Sequence, residues 1–120
     1  MKIIKRYINS YLDEKDEDSF FGCLHPNFHC KLIRDEKEVA ITREEYKNIL
    51  HRHFMSCEKA NLVRMNALQK EGRVFKSRVI SHQVHKGMKY EIDDYQTYKI
   101  DFESNLISYI KHDWTITKLD

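Results

Sequence analysis

Apolar residues near the start of the chain recur with the period of an α-helix. They are Ile3, Ile4, Tyr7, Ile8, Tyr11 and Leu12. This spacing predicts an amphipathic helix over residues 2–13. The acidic run 13–18 that follows is either an interaction tail or a solvated turn. We favour the turn, with Asp16 or Asp18 capping a short second helix.

A short second helix and a strand are predicted next. The helix carries Phe20, Phe21 and Leu24, and Pro26 is expected to end it because the residue before a proline avoids the α region. Apolar positions then alternate with other residues as in a strand. They are Phe28, Cys30 and Leu32.

A capping box predicts the start of the third helix. The Thr42 hydroxyl can accept a hydrogen bond from the amide of Glu45, and the Glu45 carboxylate can reach back to the amide of Thr42. Ile41 and Tyr46 occupy the flanking positions of a hydrophobic staple. The helix continues with one apolar face, formed by Ile49, Leu50, His53 and Phe54.

From about residue 59 onward the hydrophobic period changes from 3.6 to 2. Turns are expected at Gly72, at Gly87 and at Ser104-Asn105. The predicted strands cover roughly residues 60–70, 73–85, 89–102 and 106–118. Strands of this length twist, and a sheet built from them must curl around something.

Length and charge limit the possible functions. The chain has 120 residues, a size typical of one domain, and 41% of them are hydrophobic, which argues against disorder. The 21 Lys and Arg nearly balance the 19 Asp and Glu, which excludes a dedicated polyanion binder and gives no support to a polybasic membrane anchor. Basic residues between 64 and 89 are interleaved with acidic ones and lack aromatic stacking partners, so we expect no nucleic-acid partner.

The first residues contain neither the apolar core of a signal peptide nor a stretch able to cross a bilayer. The three cysteines, Cys23, Cys30 and Cys57, do not form a disulfide framework. We therefore expect free thiols and a cytoplasmic location. Cys23 and Cys30 are expected to be small buried thiols, and Cys30 points away from its neighbour His29 on the strand. No histidine is placed by the sequence to activate Cys57 as a nucleophile.

Seven histidines stand beside seven tyrosines, and histidine is the residue type that changes charge near neutral pH. The histidines do not have metal-ligand spacing. His51 and His53 are two apart on a helix and point in different directions. His82 and His85, three apart on a strand, point to opposite faces. We expect neither a metal nor a cofactor.

The order of elements is that of an α+β protein, and here the chain resembles the NTF2-like superfamily. This superfamily includes SnoaL-like polyketide cyclases, ketosteroid isomerases, limonene epoxide hydrolases and scytalone dehydratase. The matching segments are residues 24–28 (LHPNF), 42–46 (TREEY) and 98–107 (YKIDFESNLI). The resemblance covers essentially the whole chain. It implies a single cone-shaped domain over residues 1–120, with a curved antiparallel sheet wrapped on three N-terminal helices and a cavity at the open end.

The resemblance does not carry a particular activity with it. The catalytic aspartate of the ketosteroid isomerases corresponds approximately to Leu32, which cannot take a proton. The two aspartates and bridging arginine of the limonene epoxide hydrolases have no clean match. The resemblance also implies a homodimer formed through the outer face of the sheet.

Strand alternation together with the resemblance gives the expected inner face of the sheet. It comprises Ser77, Val79, Ser81, Gln83 and His85, then Asp94, Gln96, Tyr98 and Ile100, and finally Ile110, His112 and Trp114. A slip of one residue would exchange the inner and outer faces. If Phe102 pairs with Leu106 across the turn, Gln96 lies opposite His112.

That register makes Asp94 and Tyr98 diagonal neighbours of His112. If the site is catalytic, His112 is the acid or base, Tyr98 the donor to an oxyanion, and Asp94 or Gln96 orients the imidazole. The alternative is a hydrogen-bonded polar cluster that only closes the cavity. The expected ligand contacts are Leu32, Leu50, Gln83, His85, Gln96, Ile110 and Trp114.

Two functions follow from these expectations. The first is binding of a small, largely apolar molecule in the cone, alone or together with proton-transfer chemistry of the isomerase, lyase or cyclase type. The second is a non-enzymatic module for dimerisation or protein interaction. A sealed cavity in which His112 and Tyr98 satisfy each other would favour the second.

Overall fold

Three helices cover the concave face of one sheet in the computed structural model, which describes residues 2–34 and 36–120. Helix α1 spans Lys2–Leu12, α2 spans Glu17–Gly22 and α3 spans Arg43–Ser56. The core lies between the helices and the sheet. Its fully buried side chains include Ile4, Leu32, Tyr46, Tyr98, Ile107 and Ile110.

The sheet has seven strands and is curved but not closed. The strands are β1 Leu24–Arg34, β2 Lys37–Thr42, β3 Cys57–Met65, β4 Gln69–Glu71, β5 Val74–His85, β6 Met88–Asp101 and β7 Leu106–Lys118. Their order is β2-β1-β7-β6-β5-β3, and β4 pairs with β5. The expected α+β class and cone are confirmed.

One strand pair departs from the expected antiparallel sheet. Strands β1 and β7 are parallel, whereas the other pairs are antiparallel. A parallel pair needs a long connection, and here the chain between β1 and β7 contains α3 and the remaining strands. The sheet is therefore mixed.

The second helix begins as predicted and ends earlier. Asp16 is its N-cap, with the side chain accepting a hydrogen bond from the amide of Ser19 at 3.1 Å. The helix ends at Gly22, so the prediction that Pro26 ends it is wrong. Pro26 lies within β1 instead, where the pairing with β7 is irregular between Leu24 and His29. A proline, which lacks an amide hydrogen, is tolerated at such an irregularity.

The predicted capping box of α3 is confirmed. The Thr42 hydroxyl accepts from the Glu45 amide at 3.2 Å, and a Glu45 carboxylate oxygen accepts from the Thr42 amide at 3.1 Å. Ile41 and Tyr46, the residues of the predicted staple, are both buried. The cap thus fixes the first turn of α3, which carries Tyr46 into the core.

Two parts of the sheet differ from the prediction. Strand β2 has one buried residue, Ile41, so it lacks the alternating pattern that identifies strands. The strand expected over residues 60–70 is divided into β3 and β4. Both β2 and β3 form edges of the sheet.

The strand register is the one predicted at the centre of the sheet. Gln96 pairs with His112, but the turn differs, because Asp101 rather than Phe102 pairs with Leu106. An irregularity between Lys99 and Ile100 restores the expected register. The predicted inner-face residues are buried, apart from half-buried His85 and Trp114.

Candidate functional site

Four side chains form a continuous hydrogen-bonded chain from the helices to the sheet. The Tyr7 hydroxyl of α1 contacts the Tyr46 hydroxyl of α3. The Tyr46 hydroxyl lies 2.9 Å from Nε2 of His112 on β7, and His112 Nδ1 lies 2.7 Å from Oδ2 of Asp94 on β6. Gln96 Nε2 donates to the same carboxylate oxygen at 2.7 Å. We call these five residues the inner polar group.

The acceptor at one end of this chain determines where its protons lie. An ionised carboxylate only accepts, so His112 carries its proton on Nδ1 and, when the ring is neutral, Nε2 accepts from the Tyr46 hydroxyl. Tyr7 then donates to Tyr46. Burial raises the pKa of both tyrosines well above the ordinary value, so both remain protonated phenols. Every proton in the chain therefore points toward Asp94.

Aromatic packing holds the imidazole in place. The His112 ring lies 5.8 Å from the Tyr46 ring, at 20° to it, and 5.0 Å from the Trp114 ring, at 31°. Only 3% of His112 is exposed, and Asp94 is equally enclosed at 5%. An imidazole fixed by two rings and two hydrogen bonds is preorganised for proton transfer.

Three buried polar atoms of β6 have no hydrogen-bond partner among the described residues. They are Asp94 Oδ1, Gln96 Oε1 and the Tyr98 hydroxyl. Leaving such an atom unpaired costs about 1–3 kcal/mol. Two of them belong to the inner polar group, so the network satisfies itself only in part.

A cavity lies beside the inner polar group. It offers about 90 Å³ to the centres of water-sized spheres, well above the roughly 10–15 Å³ that one water molecule needs. Its mouth opens to solvent, and about 640 Å³ of space is empty when the mouth is included. Its apolar walls comprise Ile8, Leu12, Phe20, Leu50, Val79 and Ile92. It therefore combines an apolar body with a polar end, the usual form of a small-molecule site.

A second polar cluster, which we call the distal polar group, consists of Tyr11, Ser81, Gln83 and His85. Gln83 Oε1 accepts from the Tyr11 hydroxyl at 3.1 Å and from His85 Nε2 at 2.8 Å, while Gln83 Nε2 donates to Ser81 at 3.1 Å. The Ser56 hydroxyl lies 2.8 Å from His85 Nδ1. Burial lowers the pKa of His85, which favours its neutral ring.

Most residues expected at the site lie on the cavity wall. They are Leu50, Gln83, Asp94, Gln96, His112 and Trp114. Leu32 and Ile110 pack in the core, outside the cavity lining, and His85 lines a separate surface recess next to Gln83. Tyr98 is fully buried, and the phenol that contacts His112 is that of Tyr46.

The sequence reasoning missed Tyr7 and Tyr46. Both were recognised as apolar-face residues of their helices, and nothing in the periodicity distinguishes a phenol that only packs from one that also forms a polar contact. The one available signal was the staple position of Tyr46, which directs that side chain inward at the start of α3.

The three cysteines differ in burial. Cys23 and Cys30 are buried, and burial raises the pKa of half-buried Cys57, which disfavours the reactive thiolate. No described group of three or more His, Cys, Asp or Glu residues is arranged to hold a metal ion. No described helix is long and apolar enough to cross a membrane.

Comparison by sequence and by structure gives different results. No family model matches the sequence, and no curated protein matches it. The structure is similar to an NTF2-like protein of unknown function from Exiguobacterium sp. 255-15, with a TM-score of 0.71, 13% identity, and coverage of 94% of this chain and 98% of that chain. The chain has the NTF2-like fold.

Two further similar structures show how varied proteins with this fold are. The BvnE pinacolase from Penicillium brevicompactum aligns with a TM-score of 0.79 at 9% identity, over 94% of this chain and 83% of that one. A computationally designed 17-OHP binder aligns with a TM-score of 0.76 at 11% identity, over 99% and 95%. One is named as an enzyme and the other as a binder, so the NTF2-like fold alone does not assign an activity.

Proposed function

We propose that the protein binds a small, largely apolar molecule in the cavity and transfers a proton to or from it. The observation that carries this proposal is the buried chain from Tyr7 through Tyr46 and His112 to Asp94, which borders the cavity. A base, a phenol donor and a charge that stabilises the protonated base are the parts that general acid–base catalysis needs.

The proton path follows from the hydrogen bonds. His112 Nε2 is the ring atom that can take a proton, and it is reached through the Tyr46 hydroxyl. Tyr46 passes its proton to Nε2 as it accepts one from the ligand, and the carboxylate of Asp94 stabilises the resulting imidazolium. Return of the proton to another ligand atom is an isomerisation, and its delivery to a leaving hydroxyl is an elimination of water.

Tyr46 replaces Tyr98 as the phenol that works with His112, and its role is to relay a proton, whereas the role expected for Tyr98 was to donate to an oxyanion. Its contact with His112 supports this assignment, and Tyr98 has no such contact. Asp94 keeps the orienting role, since its carboxylate accepts from Nδ1. The names of the BvnE pinacolase and of the designed 17-OHP binder fit a proposal that combines catalysis with small-molecule binding. We also propose that the protein is cytoplasmic, and the free thiols of its three cysteines support this location.

The test is hydrogen exchange on a simple apolar ketone. 2-Tetralone in D₂O exchanges the hydrogens next to its carbonyl when a base removes them, and NMR follows the loss of signal. We expect the protein to accelerate this exchange and His112→Gln to remove about 10²-fold or more of the acceleration, the usual share of a general base.

His82→Gln is the matched control, because His82 lies exposed on the outer face. It should exchange 2-tetralone at the wild-type rate. Equal rates for wild type and His112→Gln would contradict the proposal, provided that circular dichroism shows both proteins folded.

The second candidate function is a non-enzymatic dimerisation module. The observation that favours it is an exposed aromatic residue on the outer face of the sheet, Tyr95, which is 53% exposed. The guanidinium of Arg78 lies 5.0 Å from its ring. Tyrosine and arginine are the residue types enriched in protein interfaces. A homodimer through this face is compatible with either function.

A further inference from the structure

The two polar groups of the cavity lie at different levels of the sheet. Val79 of β5 pairs directly with Asp94 of β6, and Gln83 lies four residues further along β5 on the same inner face. At about 3.3 Å per residue, Gln83 is about 13 Å from the level of Asp94 along the strands, and Ser81, the nearest strand member of the distal polar group, is about 7 Å from it. Both Gln83 and Asp94 line the cavity.

The wall between Asp94 and Gln83 is mostly apolar, although Ser81 of the distal polar group also lies on it. Ile92 pairs with Ser81 on one side and with Ile116 on the other, and both isoleucines line the cavity. Ile8 and Leu12 of α1 contribute apolar lining from the helix layer. The cavity lining thus passes from the inner polar group, past a mostly apolar middle, to Gln83 at a second polar end.

Each polar end retains hydrogen-bonding capacity. At the inner end, Asp94 Oδ1 and Gln96 Oε1 are buried acceptors without a partner, so this end favours a ligand group that donates. At the distal end, Gln83 is 6% exposed and its amide gives one hydrogen to Ser81. Since an amide nitrogen carries two hydrogens, the second is available to an oxygen of the ligand.

We propose that the ligand is an elongated, apolar molecule with an oxygen function at each end. A hydroxyl at one end donates to the inner polar group, and an oxygen at the other end accepts from Gln83. This inference rests on the proposed function, because it assumes that a ligand occupies the cavity. It adds the substrate class and makes Gln83 a residue that determines specificity.

The experiment compares two phenols that differ only at the far end. 4-Hydroxybiphenyl carries one hydroxyl, and 4,4′-dihydroxybiphenyl carries one at each end of a rigid two-ring frame. Calorimetric titration should show that the second hydroxyl strengthens binding to the wild type by about 3- to 10-fold, the range expected for one hydrogen bond. Gln83→Met should bind both phenols with equal affinity.

Gln69→Met is the matched control, since Gln69 is an exposed residue of β4, and it should retain the full gain. The wild-type comparison tests the inference even where Gln83→Met does not fold. Equal affinity of the wild type for both phenols would overturn the two-ended ligand and leave the proposed function standing. If Gln83→Met still binds 4,4′-dihydroxybiphenyl more tightly than 4-hydroxybiphenyl by the wild-type factor, the role of Gln83 is overturned. Failure of both phenols to bind the wild type would overturn the proposed function, and this inference with it.

Discussion

The chemistry proposed for this protein depends on one residue that does not itself exchange protons with the ligand. Asp94 accepts from His112 Nδ1 and from Gln96 Nε2 through a single oxygen. This fixes which imidazole nitrogen carries the proton, and it supplies the negative charge that a protonated ring needs in a buried site. Asp94 is a positioning residue, and its charge can be removed while its shape is kept.

Asp94→Asn should slow the exchange of 2-tetralone by about 10²-fold, because the neutral amide no longer stabilises the imidazolium. The pH–rate profile should also change, which a merely structural role would not produce. Asp113→Asn, at an exposed position of β7, should leave both rate and profile as in the wild type. An unchanged profile in Asp94→Asn would count against the proposed proton path.

His85 makes the stability of the fold depend on pH. Burial lowers its pKa below the ordinary 6.5, with Lys15 reinforcing the shift and Glu58 opposing it. Below pH 6.5 the unfolded chain therefore binds a proton at this residue more readily than the folded protein does. This contribution to stability is complete above pH 6.5 and is lost as the pH falls toward the lowered pKa of the folded state.

We therefore expect the free energy of unfolding to fall less between pH 8 and pH 5 in His85→Gln than in the wild type. Urea denaturation at several pH values, followed by circular dichroism, measures the difference. The same pH dependence in both proteins would show that His85 is not held neutral.

At the scale of elements, the start of α3 has two roles. Its capping box satisfies amides of the first turn, and that same turn carries Tyr46 to His112. Because Tyr46 lies in the capped first turn, fraying at the other end of the helix would not displace it. The helix end at Ser56 is instead close to His85.

Thr42→Ala should lower the free energy of unfolding by about 0.5–2 kcal/mol, because the Glu45 amide loses its acceptor. Thr42→Ser keeps the hydroxyl and should recover most of the loss. Urea denaturation of the three proteins tests this. If Thr42→Ser and Thr42→Ala lower the free energy of unfolding equally, the loss is due to the missing methyl group and not to the missing cap.

At the scale of the whole molecule, the outer face of the sheet suggests an assembly. If the homodimer forms through this face, Tyr95→Glu should convert it to a monomer, since it places a charge in the buried interface. Sedimentation equilibrium measures the mass. Phe102→Glu, at an exposed turn position, is the control and should leave the mass unchanged.

Much of the local structure of this protein can be predicted from the spacing of residues in the sequence. The capping box and the pairing of Gln96 with His112 were predicted because both depend on spacing within or between adjacent elements. The contact of Tyr46 with His112 was not predicted, because it joins a helix residue to a strand residue 66 positions further along the chain. The end of α2 was misplaced because the sequence shows Pro26 but not the irregular ladder that accommodates it.

The parallel pairing of β1 with β7 also has a consequence for how the chain is made. Residues 24–34 leave the ribosome early, yet one of their two neighbours in the sheet is not synthesised until residues 106–118 have been added. Until then, the unpaired edge of β1 is open to other chains. Along this strand His29 and Lys31 alternate with apolar residues. Such polar side chains disfavour pairing of the exposed edge with other nascent chains that are being translated from the same mRNA.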